Sequence, residues 1–147
     1  MTVGGAAGPR SRRLYIDTSV YLSILLAEHG WERLSAQMTD ADLLSSVLLV
    51  LETKRSLIRL AREGALSPDQ FKACVDRMEE DMTQFALRNL TLDLCQSTLM
   101  PAVATPRSLD LAHLRTALWF HADQPITRFM TVDSAQSQAA RELGLPV

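Results

Sequence analysis

Four acidic residues, Asp17, Glu52, Asp110 and Asp133, lie where apolar runs give way to helical patterns. Singly, each has an ordinary structural role, because a carboxylate can cap a helix or complement the positive end of its dipole. If the apolar runs are parallel strands, however, their carboxyl ends meet at one edge of a sheet. Carboxylates gathered there repel one another, and a hard cation such as Mg²⁺ or Mn²⁺ relieves that repulsion. The four positions therefore predict a metal site.

The elements that must position these acids alternate between strands and helices. Short apolar runs predict about five strands, at 14–16, 43–48, 90–94, 129–132 and 145–147. Apolar residues at helical spacing predict helices at 20–26, 31–38, 50–62, 68–88, 96–104, 108–121 and 134–143. The clearest helix start is at Ser67, because Pro68 and Gln70 complete a capping box after it. Strands joined by helices form a mostly parallel sheet covered on both faces, which is the α/β class.

The composition fits one globular domain. With 147 residues, of which 47% are hydrophobic and 22% charged, the chain is long enough to bury a core and is not typical of disorder. Residues 1–13 are rich in Gly, Ala and Arg and predict a flexible leader, so the folded domain is expected at 14–147. The run at 43–51 is too short to span a bilayer, and the chain has no signal-peptide pattern.

The charge of the chain excludes a protein that holds nucleic acid through a broad basic face. The net charge is −2 and the isoelectric point is about 5.9, so any site for RNA must be local. Cys74 and Cys95 lack the spacing of a zinc site or a disulfide framework, and a reducing cytoplasm fits them best. The chain has only three histidines, so zinc is less favoured than Mg²⁺ or Mn²⁺.

Several segments together resemble one known family. They lie at 15–20, 45–48, 52–55, 109–114, 116–118, 129–133 and 144–147. In these segments the chain resembles the PIN-domain ribonucleases, and among them the VapC-type toxins of bacterial toxin–antitoxin pairs. Each segment alone is a weak signal, but their order and spacing are those of the family. The resemblance covers residues 14–147.

The resemblance implies a fold, an activity and partners. The fold would be PIN-like and three-layered, with a central, mostly parallel sheet of about five strands. The activity would be endoribonuclease cleavage, in which Mg²⁺ or Mn²⁺ held by Asp17, Glu52, Asp110 and Asp133 activates water to hydrolyse the phosphodiester. In that family, the acid at the position of Asp133 contributes more often through a bridging water than as a direct ligand. The implied partners are an RNA substrate, a small VapB-like antitoxin and a second copy of the chain in a homodimer.

Three hydroxyls stand beside the acids. Thr18, Ser19 and Thr131 are placed to orient a carboxylate or a water, although hydroxyls at such junctions are more often plain helix caps. Of the three, Thr18 and Thr131 are predicted as supporting residues of the site.

Three further residues lie one helical turn from an acid. Arg55 follows Glu52 by three residues and could bind a phosphate or pair with Glu52 itself. Arg115, where the family commonly has a small residue, could contribute to RNA selection or be simply solvated. His113 lies one turn after Asp110, and a packed or hydrogen-bonding role is favoured over catalysis.

Other functions remain open. A PIN nuclease with a housekeeping role in RNA processing would need no antitoxin. A catalytically silent PIN module would bind only protein, and it would be expected to lack at least one of the four acids. A haloacid-dehalogenase phosphatase also starts with a strand and an aspartate, but it needs a second aspartate where this chain has Ser19.

Overall fold

Strand β1 (Arg12–Ile16) is an interior strand of a parallel sheet and sets the position of the elements around it. The structure is a computed structural model that describes residues 11–96 and 107–147. Within those ranges the sheet has four strands, and the other three are β2 (Ala41–Ser46), β3 (Phe85–Arg88) and β4 (Arg128–Met130). Their spatial order is β3-β2-β1-β4, so the strand order reverses at β1. Ligands of open parallel sheets bind beside such a reversal.

Helices connect these strands, as parallel pairing requires. They are α1 (Thr18–Leu25), α2 (Trp31–Met38), α3 (Leu48–Arg62), α4 (Pro68–Met82), α5 (Leu92–Gln96), α6 (Ser108–Asp123) and α7 (Ser134–Glu142). The predicted capping box starts α4, where Gln70 N donates to Ser67 Oγ at 3.1 Å and Ser67 N donates to Gln70 Oε1 at 2.8 Å. Gly30 precedes α2 with a φ of 85°, a conformation that strains other residues.

Alternating side chains of β1 pack on opposite faces of the sheet. Tyr15 belongs to a buried cluster that includes Leu114 of α6 and Ala140 of α7. Leu14 and Ile16 belong to a second cluster, which includes residues of α1, α3 and α4. Helices therefore cover both faces of the sheet, which confirms the predicted α/β class and fits a PIN-like fold.

The prediction was wrong around the third strand. Helix α4 ends at Met82 rather than near residue 88, and β3 occupies part of the range predicted as helix. Phe85 continues the helical apolar spacing of Met82, so the local pattern does not reveal that pairing with β2 takes over. The predicted strand at 90–94 is not a strand, and α5 begins within it.

Two further differences concern the predicted helix at 96–104 and the predicted strand at 145–147. Of the predicted helix, only Gln96 belongs to the described residues, as the last residue of α5, and the rest lies outside them. Residues 145–147 do not form a strand, although Phe129 N of β4 donates to Pro146 O at 2.6 Å. The described sheet therefore has four strands rather than about five.

The start of the chain lies only partly within the structure. Residues 1–10, the greater part of the predicted leader, are outside the described residues, and β1 already begins at Arg12. Across the described ranges, no helix has the length and apolar character needed to cross a membrane.

Candidate active site

The carboxyl ends of the strands open into a cleft of about 270 Å³, the acid cleft, which all four predicted acids line. Asp17 follows β1, Asp110 lies in the first turn of α6, and Asp133 precedes α7. Glu52 is in the second turn of α3, because that helix begins at Leu48, two residues before the predicted start. Four elements that are distant in the sequence thus bring their carboxylates to one place.

Asp17 is held at the point where β1 and β4 end together. Its backbone N–H donates to Met130 O at 3.0 Å, and the residue is only 5% exposed. Its Oδ2 accepts two hydrogen bonds, from Ser19 Oγ at 2.7 Å and from Thr131 Oγ1 at 2.9 Å. Two hydroxyls therefore fix one oxygen of this carboxylate.

Glu52 is fixed in a similar way. Its Oε1 accepts a hydrogen bond from Thr18 Oγ1 at 3.0 Å and lies 2.7 Å from His113 Nε2. The Thr18 hydroxyl is also 3.1 Å from the same imidazole nitrogen. The predicted supporting role of Thr18 thus has a specific geometry, in which its hydroxyl orients the carboxylate of Glu52.

His113 connects Glu52 to the buried face of the sheet. The residue is 1% exposed, and its Nδ1 is 2.8 Å from the Tyr15 hydroxyl. Burial raises the pKa of Tyr15 well above its usual range, and the charge of Asp17 raises it further, so Tyr15 is the donor. The imidazole then carries its proton on Nε2 and donates to Glu52. His113 has the hydrogen-bonding role that the sequence favoured.

Asp133 caps α7 with one carboxylate oxygen. Its Oδ1 accepts hydrogen bonds from Ala135 N at 2.8 Å and from Gln136 N at 3.2 Å. The side chain of Gln136 is buried, and its Nε2 donates to the backbone carbonyl of Asp110 at 2.9 Å. The first turn of α7 therefore positions the carboxylate of Asp133 directly and positions Asp110 through its backbone carbonyl.

Asp110 differs from the other three acids, because its side chain has no hydrogen-bond partner among the described residues. Partial burial raises the pKa of this carboxyl, and the nearby charges of Asp17 and Asp133 raise it further. The charged form of Asp110 is therefore disfavoured in the acid cleft unless a cation is present.

A common pattern emerges from these contacts. Asp17, Glu52 and Asp133 each use one oxygen for hydrogen bonds, and the other oxygen has no partner among the described residues. Carboxylates that bind metals are commonly held in this way. Free carboxylate oxygens suit Mg²⁺ or Mn²⁺, so the donor chemistry fits. The side chains do not close around one point, since no three acidic, histidine or cysteine side chains of the described residues form a metal-binding group.

The two predicted arginines are placed differently. Arg55 lines the acid cleft and forms no ion pair with Glu52 within the described residues, so the pairing considered from the sequence is not formed. Arg115 points elsewhere, because its Nε donates to Leu94 O at 3.3 Å and its side chain lines a separate apolar cavity. Thus the structure brings Arg55 to the acids but does not bring Arg115 to them.

Sequence reasoning missed Tyr15 and Gln136. Tyr15 was assigned to an apolar strand, and only the fold shows that its hydroxyl contacts His113. Gln136 follows Asp133 by three residues on a helix, where a glutamine is ordinarily exposed. A polar side chain in the first turn after a candidate ligand is the only signal that the sequence offered.

Comparison with known proteins gives similarity to two ribonucleases. No protein-family model matches the chain. The chain is 28% identical over 141 residues to the protein named Ribonuclease VapC35 of Mycobacterium tuberculosis strain CDC 1551 / Oshkosh, with 91% of this chain and 94% of that protein covered. The protein of that name from strain ATCC 25618 / H37Rv matches equally well. The similarity extends over nearly the whole length of both proteins and agrees with the family resemblance of the sequence.

Proposed function

We propose that this protein is a divalent-metal-dependent endoribonuclease, the toxin of a VapBC-type toxin–antitoxin pair. The observation that carries the proposal is the acid cleft, which all four carboxylates line and in which three of them are each fixed by hydrogen bonds to one oxygen. The similarity to proteins named as ribonucleases supports the choice of RNA as substrate. Other metal-dependent hydrolases share such carboxylate clusters, so the two observations are needed together.

In this proposal Asp17, Glu52 and Asp110 hold Mg²⁺ or Mn²⁺, and Asp133 contributes through a bridging water. When bound, the ion acts as a Lewis acid that activates a water for attack on phosphorus and offsets the charge on the phosphate oxygens. The ion would also remove the repulsion that raises the pKa of Asp110.

The remaining residues of the site orient these ligands. Thr131 and Ser19 hold Asp17 by hydrogen bonds, and the buried Tyr15–His113 pair holds Glu52 from the interior. Because these donors are fixed by the fold, the carboxylates need little rearrangement when substrate binds. Arg55 lies on the wall of the acid cleft, where its guanidinium can bind a phosphate oxygen.

The partners follow from the same proposal. A small VapB-like antitoxin would inhibit the enzyme by covering the acid cleft, and a second copy of the chain would form a homodimer. Helix α3 supplies an apolar surface for such contacts, since Leu51 is 64% exposed and Ile58 is 50% exposed. These two residues are seven positions apart and therefore lie on the same face of the helix. Exposed apolar residues that are grouped on one face are typical of protein interfaces.

Two other functions make different predictions. A housekeeping RNA-processing nuclease would cleave RNA but would have no inhibitory partner encoded beside it. A catalytically silent PIN module could lack one or more of the four acids, whereas here all four line one cleft. The acid cleft therefore favours an enzyme over a silent module.

The test is an RNA-cleavage assay with Mg²⁺ or Mn²⁺ and with chelator, run on the parent and on Asp17→Asn. Cleavage is expected only with metal, and the variant is expected to lose it, since the amide that replaces the carboxylate is a poor ligand. Asp42→Asn is the matched control, because Asp42 is exposed and lies outside the acid cleft. Equal cleavage by Asp17→Asn and the parent would refute the mechanism. A toxin, unlike a housekeeping enzyme, would have a small inhibitory protein encoded beside it, and coexpression with that protein would abolish cleavage.

A further inference from the structure

A second cavity, of about 290 Å³, lies beside the acid cleft and carries the opposite charge. Arg33 of α2, Arg128 of β4 and Arg141 of α7 all line it. We call it the arginine cavity. Helix α2 is distant in the sequence from β4 and α7, and the fold brings three of the chain's 15 basic residues from these elements to one place.

The arginines of this cavity lack the acidic partners that some other cations of the protein have. On α3 and α4, for example, Arg59 pairs with Glu63 and Lys72 with Asp76, each one helical turn away. In the described residues no carboxylate forms an ion pair with any arginine of the cavity. Arg128 donates to the neutral side chain of Gln37 at 3.2 Å. The cavity therefore presents positive charge that the protein itself does not neutralise.

The arginine cavity and the acid cleft share a wall. Thr131 lines the arginine cavity, and its hydroxyl donates to Asp17 of the acid cleft. Helix α7 connects them as well, since Asp133, Ser137 and Arg141 recur every four residues and so lie along one face of the helix. The distance from Asp133 to Arg141 along that face is about 12 Å, at 1.5 Å per residue. One strand of nucleic acid can therefore reach both places.

We propose that the arginine cavity binds backbone phosphates of single-stranded RNA next to the bond that is cleaved. This inference rests on the proposed ribonuclease function and adds where the substrate is held. An acidic cleft repels RNA, so a site for the flanking phosphates must lie close to it. Arginine binds phosphate oxygens in a planar, bidentate way, and three arginines without an ion pair in one cavity supply that contact. The site is local, as the overall negative charge of the chain requires.

The test measures binding rather than cleavage. A fluorescein-labelled single-stranded RNA of random sequence is titrated with protein in chelator, and fluorescence anisotropy is followed over a series of salt concentrations. The triple variant Arg33→Gln, Arg128→Gln, Arg141→Gln is expected to bind about a hundredfold more weakly near 0.1 M salt, with a salt dependence shallower by about 2, since each single-strand phosphate contact contributes about 0.7. Replacing the same arginines by lysine keeps the charge and is expected to retain most of the affinity.

A matched control removes three positive charges elsewhere. Arg59→Gln, Arg62→Gln, Lys72→Gln changes exposed residues of α3 and α4 outside both cavities, and it is expected to bind RNA like the parent. Circular dichroism and thermal melting verify that each variant folds, which is expected because the replaced side chains are exposed.

The outcomes separate this inference from the proposed function. Parent-like RNA binding by the cavity variant, or an equal loss in the control, would overturn the inference. Unchanged RNA binding with a change in molar mass would assign the cavity to contacts between copies of the chain and would also overturn it. RNA that is bound through the cavity but never cleaved with metal would refute only the ribonuclease function.

Discussion

The acid cleft and the arginine cavity share one wall but differ in how their charged groups are held. In the cleft, Asp17, Glu52 and Asp133 are each fixed by two or more polar contacts on one oxygen. In the cavity, Arg128 has one neutral partner and the other arginines have no ion pair among the described residues. Chemistry needs ligands held to fractions of an ångström, whereas binding a variable RNA backbone tolerates adjustable side chains. The difference indicates separate tasks, cleavage and binding.

The largest effect on RNA cleavage is expected for Glu52→Gln, a change that keeps the size of the side chain and removes its charge. We expect cleavage to fall about a hundred- to a thousandfold, because the ligand loses its affinity for the cation. RNA affinity in chelator should not change, since the arginines are untouched. Single-turnover cleavage and anisotropy measure the two quantities. Glu63→Gln, at the exposed C-cap that follows the same helix, is the control. A parallel loss of RNA affinity would remove the distinction between the two regions.

His113→Phe tests whether the acid cleft is held from the interior. The change removes the imidazole that contacts both the Tyr15 hydroxyl and Oε1 of Glu52, so the free energy of unfolding should fall by about 2 to 4 kcal/mol. Urea denaturation measures this, and Mn²⁺ binding by calorimetry should weaken as well. His29→Phe, at an exposed position, is expected to change stability by less than about 0.5 kcal/mol. Parent-like stability of His113→Phe would contradict the proposed support.

Thr131→Val sharpens the comparison, because Thr131 lines the arginine cavity while its hydroxyl donates to Asp17 of the acid cleft. Loss of its hydrogen bond to Asp17 should weaken Mn²⁺ binding about ten- to a hundredfold. RNA affinity in chelator should stay the same, since the cavity acts through its arginines. Calorimetry with Mn²⁺ and anisotropy with RNA give the two results. Thr39→Val removes an exposed hydroxyl outside both cavities and should leave both unchanged.

The smallest effect is expected for Asp110→Asn in metal-free protein. The pKa of Asp110 is raised in the folded state, so its contribution favours folding at low pH and is lost as pH rises through that pKa. At neutral pH the variant should therefore be more stable than the parent, by less than about 1 kcal/mol because the group is partly solvated. The difference should shrink toward about pH 3, below the ordinary Asp pKa of about 3.9, where the carboxyl is mostly protonated in both states.

Urea unfolding in chelator across this pH range measures the difference. Asp42→Asn is the control and should follow the parent at every pH. A variant of Asp110 that is less stable than the parent at neutral pH would contradict the repulsion assigned to the acid cleft. Adding Mn²⁺ should reverse the order, since only the parent has the full set of carboxylates to bind it.

Local patterns predicted the elements that carry the acids. The apolar run before Asp17 and the run before Asp133 are both strands, and the capping box at Ser67 forms with both of its hydrogen bonds. Such features are visible because they depend on neighbours within a few residues. At β3 this failed, because pairing with a distant strand overrides the continued helical spacing after Met82.

The contacts within the site could not be predicted in the same way. His113 and Glu52 are 61 residues apart, and nothing near either residue indicates the other. The arginine cavity combines α2, β4 and α7, so its charge appears only when the fold is known. The sequence therefore proposed four metal-binding acids at the strand ends and placed Thr18, Thr131 and His113 near them, but it could not show which carboxylate each of these side chains contacts.

The hydrogen bond between Phe129 N and Pro146 O has a consequence for self-association. Strand β4 is at one edge of the sheet, and exposed edges invite other chains to add strands and aggregate. Pro146 occupies this edge and has no N–H with which to continue the ladder, so intermolecular sheets cannot grow through it. The opposite edge, at β3, has no such block among the described residues. Aggregation of concentrated protein should therefore start at Phe85–Arg88 rather than at β4.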